Sequence, residues 1–102
     1  MNISPKQAFE LISKKNVILL DTRTLEEYQE VHIKNSILID LTNPGFINEI
    51  KKLDKNKTYL LYCHTGGRST YITHLMLQLG FKNVFNIEGG ILAWENSGFQ
   101  VE

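Results

Sequence analysis

The chain has a single cysteine, Cys63, and it lies in the stretch YCHTGGRST, residues 62–70. A lone cysteine forms no intramolecular disulfide, so two roles compete: a small buried hydrophobe or a reactive thiol. The neighbouring residues favour the thiol. Gly66 and Gly67 permit a tight loop, Arg68 brings a cation, and Ser69 and Thr70 can open a helix. No residue from His64 to Thr70 is proline, so every amide there can donate a hydrogen bond. Amides curled at a helix N-terminus make an anion nest. Such a setting lowers a cysteine pKa from about 8.5 to roughly 3.5–7.5. The expectation is a nucleophilic Cys63 cradled by His64, Thr65, Gly66, Gly67, Arg68 and Ser69.

Arginine usage points the same way. The chain has nine lysines but only two arginines, Arg23 and Arg68. A planar guanidinium suits oxyanion geometry, so Arg68 is expected to meet substrate. Arg23 is expected to bond within the fold, to Glu27 or a loop carbonyl. Asp21 ends an apolar run and reads as an acceptor that braces neighbouring turns. His64 follows Cys63 directly, where side chains of a curled loop diverge, so it is expected at the pocket mouth or in water. Thr65 and Ser69 carry hydroxyls able to donate to a sulfur or an anion, and Ser69 doubles as an N-cap. His32 is expected to make structural hydrogen bonds, Gly89-Gly90 to permit a turn, and Trp94 to pack in the core. Tyr71 either shades the pocket or faces solvent. The histidines and Cys63 do not fit a zinc spacing, so no metal site is expected.

These residues need elements to hold them. SPKQAFELISKK reads as a helix with Ser4 as N-cap, Pro5 at its first position and Gln7 completing a capping box. VILLD (residues 17–21) is a continuous apolar run, as in a strand covered on both faces. Thr24 and Glu27 make a second capping box, for a short helix with Leu25 and Tyr28 turned inward. Ile37–Ile39, Thr58–Tyr62 and VFNI read as further strands, and Phe46, Ile50 and Leu53 recur at helical spacing. Ile72, Leu75, Met76 and Leu79 fall at i, i+3, i+4, i+7 before Gly80, a strong helix signal with a stop. A last short helix covers Ile91 to Asn96. Alternating strands and helices predict a mostly parallel α/β sheet with helices on both faces. Ligands in such folds bind beyond the carboxyl ends of strands, where Asp21 and Cys63 stand.

Taken together, these segments resemble the rhodanese (thiosulfate sulfurtransferase) family in its small single-domain form. VILLDTRTLEEYQEVHIKNSILI resembles the family's first signature, with Asp21, Arg23, Glu27, Tyr28, His32 and Ile33 at its positions. YCHTGGRS resembles the active loop, and NVFNIEGGILAW the closing strand, Gly-Gly turn and Trp. Val31 stands where the family usually has Gly, and Lys34-Asn35 replaces Pro-Gly, both in a structural turn. The resemblance implies a rhodanese-like three-layer fold with a four- to five-stranded sheet, and one domain over residues 1–102. It also implies a reaction. Cys63 attacks the outer sulfur of thiosulfate or another persulfide donor, and its persulfide passes to cyanide or a thiol. No cofactor is implied, and a sulfur-carrier protein is a further candidate partner.

Two rivals remain at this stage. Cysteine phosphatases and arsenate reductases use a related loop, but phosphatases place five residues between cysteine and arginine, whereas His64, Thr65, Gly66 and Gly67 make four here. The shorter ring suits a single sulfur atom better than a phosphoryl group. A non-catalytic interaction module on the same scaffold is the other rival, and the intact cysteine loop argues against it. Composition narrows the rest. The 102 residues carry a formal net charge of zero, which gives no electrostatic case for nucleic acid or a membrane surface. With no long apolar run and no leader-like start, a cytoplasmic location is expected.

Overall fold

A computed structural model describes residues 1–102. The strands β1 (Asn2–Ile3), β2 (Val17–Asp21), β3 (Ile37–Leu38), β4 (Thr58–Tyr62) and β5 (Asn83–Ile87) form one sheet in the order β1-β5-β4-β2-β3. Every pairing is parallel. Between them run the helices α1 (Pro5–Leu11), α2 (Leu25–Glu30), α3 (Phe46–Lys51), α4 (Gly67–Gln78) and α5 (Gly90–Asn96). Both expected capping boxes are present, Ser4 with Gln7 and Thr24 with Glu27.

Strand side chains alternate between two cores, as a period of two requires. Leu20, Tyr59, Leu61 and Val84 pack with Ile50 of α3 and Ile72 and Met76 of α4. Leu19, Leu60, Tyr62 and Ile87 pack with Ala8 of α1 and Ile91 and Trp94 of α5. The layering is therefore helix, sheet, helix, with β4 buried on both faces. One local expectation fails, and one strand was not foreseen. Leu25 is half exposed rather than inward. Tyr28 holds α2 down instead: its hydroxyl donates to the Ser36 carbonyl at 2.8 Å and its ring stacks on His32. β1 was not foreseen as a strand; it adds an edge by pairing with β5.

The strand order fixes where a ligand can bind. From β2 the chain moves outward to β3, while from β4 it moves the other way to β5. Loops leaving the carboxyl ends of β2 and β4 therefore diverge and open a crevice, the switch point of a parallel sheet. In the register, Asp21 is paired with Tyr62, so the Asp21 turn and the Cys63 loop emerge side by side.

Candidate active site

Cys63 directly follows β4 and is only 1% exposed. The loop from Cys63 curls back over its sulfur. The Gly66 amide donates to Sγ at 2.9 Å, and Gly66 adopts φ +120°, a conformation that L side chains resist. α4 begins at Gly67, so Ser69 lies within its first turn rather than at the N-cap expected for it, which Gly66 occupies. From there the buried Ser69 hydroxyl reaches Sγ at 3.5 Å and the Gly66 carbonyl at 3.2 Å.

The amides can face inward because the carbonyls are engaged elsewhere. Cys63 O accepts from the Ile91 amide at 2.9 Å and His64 O from the Leu92 amide at 3.3 Å, both at the start of α5. Gly66 O accepts from the Thr70 amide and hydroxyl. Gly90 makes the first contact possible. A Cβ there, at φ +62°, would lie 2.4 Å from the carbonyl oxygens of Cys63 and His64. The Gly-Gly turn thus lets α5 reach the loop as well as begin.

These donors tune the thiol. Burial pushes the Cys63 pKa up. Hydrogen bonds from the Ser69 hydroxyl and from the amides of Ser69, Gly66 and Arg68 pull it down further, so the balance lies below the ordinary thiol value. The Ser69 hydroxyl has one proton and three acceptors, because it also makes a short hydrogen bond to Asn86 Oδ1. Asn86, buried in β5, in turn donates to Asn2 Oδ1 at 3.1 Å. The sequence reading missed Asn86. A polar residue inside an apolar strand was the available signal.

Asp21 and Arg23 form a buried pair beside the loop. Asp21 Oδ1 accepts from the Arg23 amide and Nε, and Oδ2 accepts from Arg23 Nη2 at 2.7 Å. Arg23 Nη2 also donates to the Val31 carbonyl at 2.6 Å, so the extended backbone at Val31 closes this turn. Thr22 adds two donors to the Tyr62 carbonyl. Arg23 therefore bonds within the fold, to Asp21 and a loop carbonyl rather than to Glu27.

Glu27 goes to Arg68 instead. Arg68 Nη1 and Nη2 donate to Glu27 Oε1 and Oε2 at 2.6 and 3.0 Å, a two-pronged pair joining α2 to α4. The Arg68 hydrogen bond is the main reason that the Glu27 pKa falls to about 2. The guanidinium expected to meet substrate is thus already partnered. His64, Thr65 and Tyr71 are exposed. His32 makes structural contacts, with Nδ1 at 2.9 Å from the Tyr28 carbonyl, and Trp94 is buried.

A family model for the rhodanese-like domain matches residues 4–97. The chain is similar to the thiosulfate sulfurtransferase GlpE of Coxiella burnetii, 32% identical over 91% of this chain and 85% of that protein. It is also similar to the thiosulfate sulfurtransferase GlpE of Actinobacillus pleuropneumoniae, 30% identical over 98% and 91% of the two chains. Among solved structures, a rhodanese-related protein from Thermoplasma volcanium superposes with TM-score 0.87 at 32% identity, over 99% of this chain and 96% of that one. The parallel sheet, the cysteine loop at its switch point and the match over residues 4–97 agree: the chain belongs to the rhodanese-like domain family.

Proposed function

We propose that the chain is a sulfurtransferase that carries a sulfane sulfur as a persulfide on Cys63. The observation that carries this reading is the convergence of loop donors on one sulfur atom, with the Gly66 amide at 2.9 Å and the loop carbonyls held outward by α5. Family membership and relatives named as thiosulfate sulfurtransferases support it. In the first step the Cys63 thiolate attacks the outer sulfur of the donor. The S–S bond of the donor breaks, and its electron pair leaves with sulfite or a thiolate. In the second step cyanide or a thiolate takes the outer sulfur, and the electron pair returns to Cys63. No net oxidation occurs. Inward-facing amides stabilise the anion before attack and the persulfide anion after it.

A phosphatase has less support, because the ring already closes on Sγ. The test is intact mass after incubation with thiosulfate or with cysteine persulfide. The protein should gain one sulfur atom and lose it again on adding a thiol, while Cys63→Ser should gain none. Equal sulfur uptake by Cys63→Ser would refute the assignment.

A further inference from the structure

The partnering of Arg68 bears on which sulfur donor the site accepts. Both terminal nitrogens of its guanidinium are occupied by both oxygens of Glu27. Glu27 is itself held in place. Its Oε1 accepts from the Thr24 amide at 3.1 Å and from the Thr24 hydroxyl at 3.2 Å, and its own amide donates to Thr24 Oγ1. The carboxylate is thus anchored by the N-terminus of α2 as well as by Arg68. Swinging it away would cost the capping box.

The elements that surround the loop supply no other free arginine or lysine. Arg23 is 3% exposed and committed to Asp21. No lysine occurs in the Cys63 loop, α2, α4 or α5. The surface beside the pair is acidic instead. Glu26 and Glu30 are exposed on α2, and Asp40 accepts from the Leu25 amide at the start of that helix. Thiosulfate brings two negative charges and releases sulfite as a dianion. It would meet a neutralised Arg68 and an acidic rim. A thiol-borne persulfide brings at most one charge at its sulfurs, and none in the R–S–SH form that is attacked, and it releases a thiolate.

We infer that Glu27 sets donor choice in this protein: by holding the Arg68 guanidinium it disfavours thiosulfate and favours a small thiol persulfide. The inference rests on the sulfur-transfer reading above and names its donor class. With the favoured donor, Cys63–S⁻ attacks R–S–SH, the donor S–S bond breaks, RS⁻ leaves, and Cys63–S–SH forms. With thiosulfate, the same attack yields Cys63–S–S⁻ and SO3²⁻. Charge balances in both. Glu27 is a positioning residue here, since it acts through Arg68 and does not touch the reacting atoms.

The experiment compares kcat and KM for thiosulfate and for cysteine persulfide in the wild-type protein, Glu27→Gln and Glu26→Gln. Glutamine at position 27 keeps the oxygen that accepts from Thr24, so the cap survives. Glu26→Gln removes the same charge from the same helix without touching Arg68. Glu27→Gln should lower the thiosulfate KM by roughly tenfold, the scale of one charge-assisted hydrogen-bonding partner regained. Its KM for cysteine persulfide should move about twofold or less, the difference set by donor charge. Glu26→Gln should shift the thiosulfate KM by less than about twofold, as for a screened surface charge. An unchanged or raised thiosulfate KM in Glu27→Gln would overturn the inference, and so would an equal shift in Glu26→Gln. If wild-type Cys63 takes sulfur from neither donor by intact mass, the sulfur-transfer reading fails and this one falls with it.

Discussion

Ser69 is the residue on which the local chemistry turns. Its hydroxyl lies between Cys63 Sγ and Asn86 Oδ1, and all three groups are buried. Ser69→Ala removes one donor to the sulfur and leaves a buried Asn86 oxygen without its partner. The Cys63 pKa should rise, because burial already pushes it up and one opposing hydrogen bond is lost. Stability should fall by about 1–3 kcal/mol from the orphaned acceptor. Adding Asn86→Leu removes that acceptor and should restore part of the stability while leaving the pKa high. Ultraviolet titration of the thiolate and denaturant melts read the two effects separately. An unmoved thiol pKa in Ser69→Ala would remove the hydroxyl from the account. At this scale the sequence displayed Cys63, the two glycines and Ser69, because they are consecutive. It did not display Asn86, which reaches Ser69 of α4 from β5.

Between elements, the decisive contact is α5 on the Cys63 loop. Two glycines test it because their surroundings differ. Gly90 has φ +62° with no room for a Cβ, whereas Gly67 has no atom within 4 Å of the place a Cβ would take. Gly90→Ala should cost roughly 2–5 kcal/mol, combining a left-handed backbone with overpacking against the loop carbonyls. It should also impair sulfur loading, since the carbonyls of Cys63 and His64 would lose the Ile91 and Leu92 amides. Gly67→Ala, at the first position of α4, should raise stability by up to about 1 kcal/mol. Thermal melts with intact-mass loading check both; equal melting temperatures for the two variants would contradict the packing argument. The helices and longer strands were readable from their caps and periodicity. β1 was not, because two residues are too short to show a period. The Glu27–Arg68 pair was hidden for another reason: its partners lie 41 residues apart, and Glu27 already had a role in the capping box.

Over the whole molecule, the sheet separates two cores that share β4 as their common wall. One face buries Met76 of α4 and the other buries Ile91 of α5, at 0% and 1% exposure. The unbroken apolar runs of β2 and β4 made this division legible, since an uninterrupted apolar strand needs cover on both sides. The strand order was less so, because the crossover from β3 back past β2 to β4 leaves no local mark in the chain. The two cores have no buried residue in common, so substitutions in them should act independently. Met76→Ala and Ile91→Ala should each cost about 2–5 kcal/mol. Their sum approaches the whole stability of a domain this size, typically about 5–15 kcal/mol. The double variant should therefore be close to unfolding. Both single variants should still melt in one transition, because β4 and β5 belong to both cores and neither face can empty alone. Denaturant melts followed by Trp94 fluorescence and by far-ultraviolet circular dichroism decide this. Trp94 lies in the α1/α5 core, so a fluorescence midpoint that stays fixed in Met76→Ala while the dichroism midpoint drops would show the two faces unfolding separately.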